Sequence, residues 1–309
     1  MKKDKKPHLT IICPVFNEET VINLFFNRIF PVIKKLNSHY QVDLLFINNA
    51  STDKTYDAIQ KIRKLQKFVY LITLSNNVGY QKSLDCGVRN AKGDIICFID
   101  VDCEDPPEMI IDFIRLYEKG YDLVYGVRID RHENYIVKKA RNYFYTFLRQ
   151  VADDEVILYM AEFCLMTSEV RNAVILHETS FPFIRTHISR VGFNRTGIEY
   201  KRQKRIAGES HYNLLGMAVF AVAGILSAST LPLRLPIYLF PLFIFLTALF
   251  GMLYLNTINL IYIFIAILVV ITYFGFAIAF IALYVARTYK NVLGYPNYFI
   301  DHRLTNFQD

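Results

Sequence analysis

Short apolar runs alternate with longer amphipathic stretches along the first 125 residues. The runs at 9–13, 42–47, 69–74, 95–99 and 123–125 are of strand length and rich in Ile, Leu, Val and Phe, the composition of strands buried on both faces. Between them, 53–66, 80–91 and 107–119 read as helices, and a further helix is expected to begin near Glu18 or Glu19. This alternation predicts an α/β domain with a Rossmann-like, mainly parallel sheet. Pro14 is expected to end the first strand, and Gly120 to follow the helix opened by Pro107.

The pattern changes in the last third. Residues 235–255 and 260–286 carry no charged side chain, and each is long enough to cross a bilayer as a helix. Arg234 precedes the first, and Arg287, Lys290 and Arg303 follow the second. The positive-inside rule then predicts both termini on the cytoplasmic side. A third apolar stretch, 214–231, is interrupted by Gly216, Gly224, Ser227, Ser229 and Thr230, and it reads as a helix lying in the membrane interface. The predicted organisation is a cytosolic domain over 1–205, an interfacial helix over 206–232, two transmembrane helices over 233–288 and a cytosolic tail over 289–309. The N-terminal lysines precede only a strand-length apolar run, which is not the pattern of a secretory signal.

Composition narrows the chemistry. The formal net charge is +7, and Arg195, Lys201, Arg202, Lys204 and Arg205 crowd the region ahead of the spans. Beside membrane helices such basicity points to anionic head groups or a phosphorylated lipid rather than to nucleic acid; a solvated basic face is the plain alternative. Five cysteines form no C-x-x-C pair and read as reduced, structural thiols. Neither G-x-G-x-x-G nor G-x-x-x-x-G-K-[ST] is present, which removes the usual support for dinucleotide or P-loop chemistry.

The strand ends hold the polar residues. Residues 100–108 crowd five carboxylates after an apolar strand: Asp100, Asp102, Glu104, Asp105 and Glu108. Residues i and i+2 of a strand point the same way, so Asp100 and Asp102 project together at the carboxyl edge of the sheet, where open α/β folds bind ligands. Two like charges so close call for a cation, and oxygen ligands suit Mg²⁺ or Mn²⁺ shared with substrate phosphates. A solvated acidic turn ahead of a helix fits the same residues. Asn48-Asn49 after the second strand and Ser75-Asn76-Asn77 after the third offer groups for a base or ribose, while Ser51 or Thr52 also suits a helix cap.

Taken in order, Pro14-Val15-Phe16-Asn17-Glu18, Asp100-Val101-Asp102-Cys103-Glu104-Asp105-Pro106-Pro107-Glu108, Tyr125-Gly126-Val127-Arg128, Ala207-Gly208-Glu209-Ser210-His211-Tyr212 and Ser229-Thr230-Leu231-Pro232-Leu233-Arg234 resemble the inverting family 2 glycosyltransferases of GT-A fold. More narrowly they resemble its polyprenyl-phosphate glycosyltransferases. The resemblance implies that Asp100 and Asp102, with Glu104 as a third ligand, hold the divalent ion on the donor diphosphate. It implies that Pro14, Val15, Glu18, Asn49 and Asp100 bind the nucleotide, and that Arg128, Arg202, Arg205 and His211 bind phosphate. Asp102 and Glu162 would then be the catalytic positions, and Gln81 and Lys82 are candidates for the sugar. Its partners would be a nucleotide sugar, a UDP-sugar first, polyprenyl phosphate and the bacterial inner membrane, with no nucleic acid and a homo-oligomer, a tetramer, as the implied assembly.

Departures from the family pattern sharpen these expectations. Asn48 and Asn49 stand where relatives commonly have aspartates, Glu162 where an Asp is expected, Cys164 for an Arg and His211 for a Lys. A phosphate monoester has its second pKa near 6, so a lipid phosphate is already largely dianionic at pH 7 and needs little help from a base. Glu162 is therefore expected to position the acceptor or the sugar. A processive polysaccharide synthase would need a Q-x-x-R-W element, and the chain has no Trp; a non-catalytic membrane adaptor of the same fold is the other alternative.

Overall fold

The computed structural model describes residues 6–130, 139, 153, 157, 160–207, 222, 224–227 and 229–307. Seven strands form one sheet in the order β3-β2-β1-β4-β6-β5-β7: β1 His8–Val15, β2 Gln41–Asn48, β3 Val69–Thr73, β4 Ile95–Phe98, β5 Leu123–Asp130, β6 Met160–Thr167 and β7 Arg195–Lys201. The first four pair in parallel, as do β5 and β7, while β6 runs antiparallel to both β4 and β5. The sheet is therefore mixed and mainly parallel.

Alternate strand residues feed two cores. Leu9, Ile11 and Cys13 of β1 join a cluster with Phe25 and Ile29 of α1 (Ile22–Leu36), Ile59 of α2 (Thr55–Leu65) and Phe113 of α4 (Met109–Tyr117). Ile12 points the other way, into a cluster with Leu84 and Val88 of α3 (Tyr80–Asn90), Val170 of α5 (Ser168–Ile175) and Ile188 of α6 (Ile184–Arg190). A sheet covered on both faces accounts for the unbroken apolar runs. All five cysteines are free and buried within these layers.

Pro14 does not end β1; the strand runs on to Val15, with Pro14 in register with Ile47 of β2. The β4 ladder has already stopped at Ile12–Phe98, and Ile12 carbonyl accepts from Ile99 on that side. Pro14 shares that direction, so its missing N–H falls where β1 has no neighbour left. The first helix begins at Ile22, later than Glu18 or Glu19. Backbone N–H groups of Val21 and Ile22 both donate to Glu18 carbonyl in a turn, and the Asn17 and Glu19 side chains accept from Thr52 and Lys54 N–H in the loop after β2. Strands β6 and β7 were not expected from the sequence.

Two long helices complete the fold, α7 (Leu231–Thr257) and α8 (Leu260–Leu293). Both are long and apolar enough to cross a membrane, and at about 1.5 Å per residue they exceed a 30 Å hydrocarbon core. Pro232-Leu233-Arg234, between the third apolar stretch and the first span, forms the first turn of α7, where proline costs no hydrogen bond. Ile258 in the left-handed region and Asn259, whose side chain accepts from Ile261 N–H, reverse the chain between them. Most of the interfacial stretch 214–231 lies outside the described residues; 222 and 224–227 are helical.

Both ends of this hairpin are tied to the α/β domain. Asp153 accepts from Thr230 N–H at 2.5 Å and pairs with Arg234, while Tyr284 hydroxyl donates to Ser229 carbonyl at 2.8 Å. At the base of α8, Asn291 Oδ1 accepts from Ser180 N–H at 2.9 Å, and Arg287 lies over the Phe181 ring. The tail beyond α8 then runs along the outer edge of β3: Ser75 N–H donates to Phe299 carbonyl, Asp301 N–H to Thr73 carbonyl and Asn306 N–H to Leu71 carbonyl, all at 2.8–2.9 Å. Phe307 meets Tyr70 edge to face.

Candidate active site

The carboxyl ends of β1, β2, β3 and β4 bring four loops to one edge, and side chains sew them together. Asn17, at φ 53, accepts from Thr52 N–H through Oδ1 at 2.8 Å, and its own N–H donates to Ser51 Oγ at 3.0 Å. Ser51 thus ties two loops rather than capping α2, whose first N–H at Thr55 is taken by Asp53. Glu18 is 7% exposed and its N–H donates to Thr55 Oγ1. Asn49, 4% exposed, uses both ends of its amide: Nδ2 donates to Asn77 Oδ1 at 2.8 Å and Oδ1 accepts from Val78 N–H at 2.9 Å. A carboxylate offers no donor for the first bond, which gives the amide at this position a structural reason.

The acidic turn follows β4. Tyr80 hydroxyl, at the start of α3, donates to Asp100 Oδ1 at 2.7 Å. Burial pushes the Asp100 carboxyl up to about 7, with Asp105 and Asp102 adding to the rise. Asp102 is buried; its Oδ1 accepts from Glu104 N–H at 3.0 Å, and its Oδ2 accepts from Arg205 at 3.1 Å. Arg205 also lies 3.5 Å from Glu18, so one guanidinium spans the first loop and the acidic turn. Gln203 N–H to Glu104 carbonyl and Ile206 N–H to Asp102 carbonyl lay the segment after β7 over the turn.

Two carboxylates two residues apart, one of them burdened by its neighbours' charge, make an oxygen donor pair that fits Mg²⁺ or Mn²⁺. Among the described residues no three His, Cys, Asp or Glu side chains form a metal cluster. Glu104, the expected third ligand, is in an ion pair with Arg202. Two protein ligands suit an ion that takes its other oxygens from phosphates and water.

Arg128, expected to bind phosphate, is buried in a triad. Its Nη2 lies 2.7 Å from Asp105 Oδ2, and its Nε donates to Tyr200 hydroxyl at 3.0 Å. Tyr200 hydroxyl in turn donates to Asp105. Asp105, 1% exposed, is therefore the centre of this network and not part of a solvated acidic turn. Gly126 makes room for it: a Cβ there would stand 2.6 Å from the Tyr200 ring.

On β6, Glu162 is ion-paired with Arg185 of α6. Burial alone would raise its carboxyl, but Arg185, and Arg128 after it, hold it below the usual range. Cys164 sits two residues on, fully buried in the sheet, so it contributes packing. Arg185 and Tyr80 were not singled out by the sequence; neither lies in a motif, and only the fold brings them beside Glu162 and Asp100.

A family model described as Glycosyl transferase family 2 matches residues 10–170, from β1 through the acidic turn to β6. The chain belongs to that family. It is 34% identical over 230 residues to the uncharacterized glycosyltransferase YkcC of Bacillus subtilis (strain 168), covering 74% of this chain and 71% of that one. It is 32% identical to the prophage bactoprenol glucosyl transferase homolog of Escherichia coli (strain K12), covering 75% of each, and 32% identical to the bactoprenol glucosyl transferase of Shigella phage SfV, again covering 75% of each.

In this glycosyltransferase the structure brings Pro14, Val15, Glu18, Asn49, Asp100, Asp102, Glu104, Arg202 and Arg205 to one sheet edge through the bonds above. Arg128 lies beneath that edge in its pair with Asp105, and Glu162 flanks it on β6. His211 lies outside the described residues.

Proposed function

We propose that this glycosyltransferase moves a sugar from a nucleotide donor, a UDP-sugar first, to polyprenyl phosphate with inversion at the anomeric carbon. The observation that carries the reading is the coupling of one sheet edge, bearing Asp100, Asp102 and Arg205, to a two-helix hairpin anchored on the same domain at both ends. The similarity to bactoprenol glucosyl transferases supports a lipid acceptor. The two apolar helices support a site held at the head groups of the inner membrane, with the domain and both termini on the cytoplasmic side.

The roles follow from charge and position. Asp100 and Asp102 would hold Mg²⁺ or Mn²⁺, which would supply neutralisation of the departing diphosphate. Arg205 and Arg202 stand at the same turn, and guanidinium forks match phosphate oxygens. The loops ending β1, β2 and β3 form the nucleoside wall, with Pro14, Val15 and Glu18 on the first and Asn49 fixing the third against the second. The lipid phosphate arrives as a nucleophile already largely ionised, so Glu162 positions a substrate and rate comes from in-line placement and leaving-group stabilisation.

The test is direct. The purified full-length protein in lipid nanodiscs is incubated with Mn²⁺, undecaprenyl phosphate and a panel of nucleotide sugars, and lipid-linked monosaccharide is measured. Product with one donor and an inverted anomeric configuration is expected. No lipid-linked sugar with any donor would overturn the proposal.

A further inference from the structure

Gln81 and Glu162 are held by consecutive residues at the start of α6. Gln81 Oε1 accepts from Ile184 N–H at 3.0 Å, and Glu162 Oε2 is ion-paired with Arg185. Each side chain spends one polar atom on this turn. The other two, Gln81 Nε2 and Glu162 Oε1, are buried with no hydrogen-bond partner among the described residues. Buried polar atoms are almost always satisfied, so two orphans from one turn call for an explanation. Gln81 adjoins Tyr80, whose hydroxyl is on Asp100. The pair therefore lies beside the acidic turn.

The chemistry of the two atoms limits the ligand. Gln81 Nε2 only donates, and an ionised Glu162 Oε1 only accepts. A phosphate oxygen would be repelled by the carboxylate and brings no hydrogen for it. A hydroxyl both donates and accepts, and two adjacent hydroxyls on one ring satisfy both atoms together.

Resting on the nucleotide-sugar reading above, we propose that Gln81 and Glu162 form the site that recognises the donor sugar: Gln81 Nε2 donates to one ring hydroxyl, and Glu162 Oε1 accepts from its neighbour. This makes Gln81 a specificity residue for a hexose with that diol free. A site built to bond a hydroxyl rejects the analogue lacking it, because its buried groups are then left unpaired.

The experiment measures binding and transfer separately. Calorimetry on the full-length protein with Mn²⁺ compares UDP-glucose, UDP-galactose and GDP-mannose, then the best of these with its analogues deoxygenated at each ring position in turn. Wild type is expected to bind the analogues lacking either hydroxyl of one adjacent pair at least about 30-fold more weakly than the parent. In Gln81→Leu the discrimination at one of the two positions is expected to collapse to within about threefold, and in Glu162→Gln that at the other. UDP affinity reports on folding of the nucleotide loops and should stay within about threefold in both variants. Undiminished discrimination in Gln81→Leu, or a wild type indifferent to every deoxygenation, would overturn the inference. A wild type that binds the sugar selectively yet transfers nothing to undecaprenyl phosphate would overturn the acceptor assignment and leave the sugar site standing. If Gln81→Leu loses UDP binding as well, Gln81→Glu decides: it keeps the contact to the turn only by losing the donor, and selectivity retained there counts against the proposal.

Discussion

Arg128 and Asp105 form a bidentate ion pair, 2.7 Å at its shorter arm, beneath the acidic turn that carries Asp100 and Asp102. The turn is thus propped from below by β5. Breaking one side of a buried pair leaves an uncompensated charge and costs about 3–5 kcal/mol. Arg128→Leu is expected to lower thermal stability by that order, with Asp105→Asn close behind. A melting curve unchanged in Arg128→Leu, together with a raised KM for the donor, would instead return this arginine to phosphate binding.

Asn49→Asp tests the amide that locks the third loop. The substitution removes the donor to Asn77 and sets a carboxylate against an oxygen. A loss of about 1–3 kcal/mol is expected, with weaker nucleotide binding because the repelled Asn77 also holds Gly79 N–H, although the new carboxylate can still accept from Val78 N–H. Urea unfolding and UDP titration read the two effects; an unaltered variant would show that the loop is held by other contacts.

Asp102→Asn and Glu162→Gln should separate metal chemistry from positioning. Asp102→Asn is expected to reduce turnover at least about 100-fold, the scale of losing one preorganised electrostatic contact in a transition state, whereas Glu162→Gln slows it modestly. Chelation by EDTA should abolish transfer, and added Mn²⁺ or Mg²⁺ should restore it. Transfer abolished in Glu162→Gln with donor and acceptor binding intact would mark Glu162 as an essential base.

His187 predicts how stability depends on pH. Burial, then His177, Arg190 and Arg89, lowers its pKa from 6.5 to about 4. The unfolded chain therefore binds this proton first as pH falls. Its contribution is whole above about pH 6.5 and is lost progressively down to about pH 4, by roughly 3 kcal/mol. Unfolding free energies at pH 7 and 4.5 should differ less in His187→Phe than in wild type, and identical differences would rule the histidine out.

Much of this architecture is written in local pattern. The first five strands and the two apolar helices were legible because each is an uninterrupted apolar run, and Asp100 and Asp102 because they follow one of those runs directly. Strand β7, Arg195–Lys201, is half-exposed and mostly polar, so it leaves no comparable signal. Strand β6 is apolar, but its antiparallel insertion between β4 and β5 depends on pairing across more than sixty residues. The partners of the charged residues, 23 positions away in both cases, leave no local signal either. Whether Arg128 meets a phosphate or Asp105, and whether Glu162 meets Arg185, is decided by which strands become neighbours.

The return of the chain along β3 has a mechanical consequence. A domain hung from one flexible linker can swivel above a bilayer, but this one is fastened ahead of α7 through Asp153 and again at the end of α8 through Asn291 and beyond it through Phe299 and Asp301. Two separated fastenings fix height and tilt together. The second begins on Ser75, in the loop that follows β3, so a helix pair forced to lean by a thinner membrane would pull on that loop.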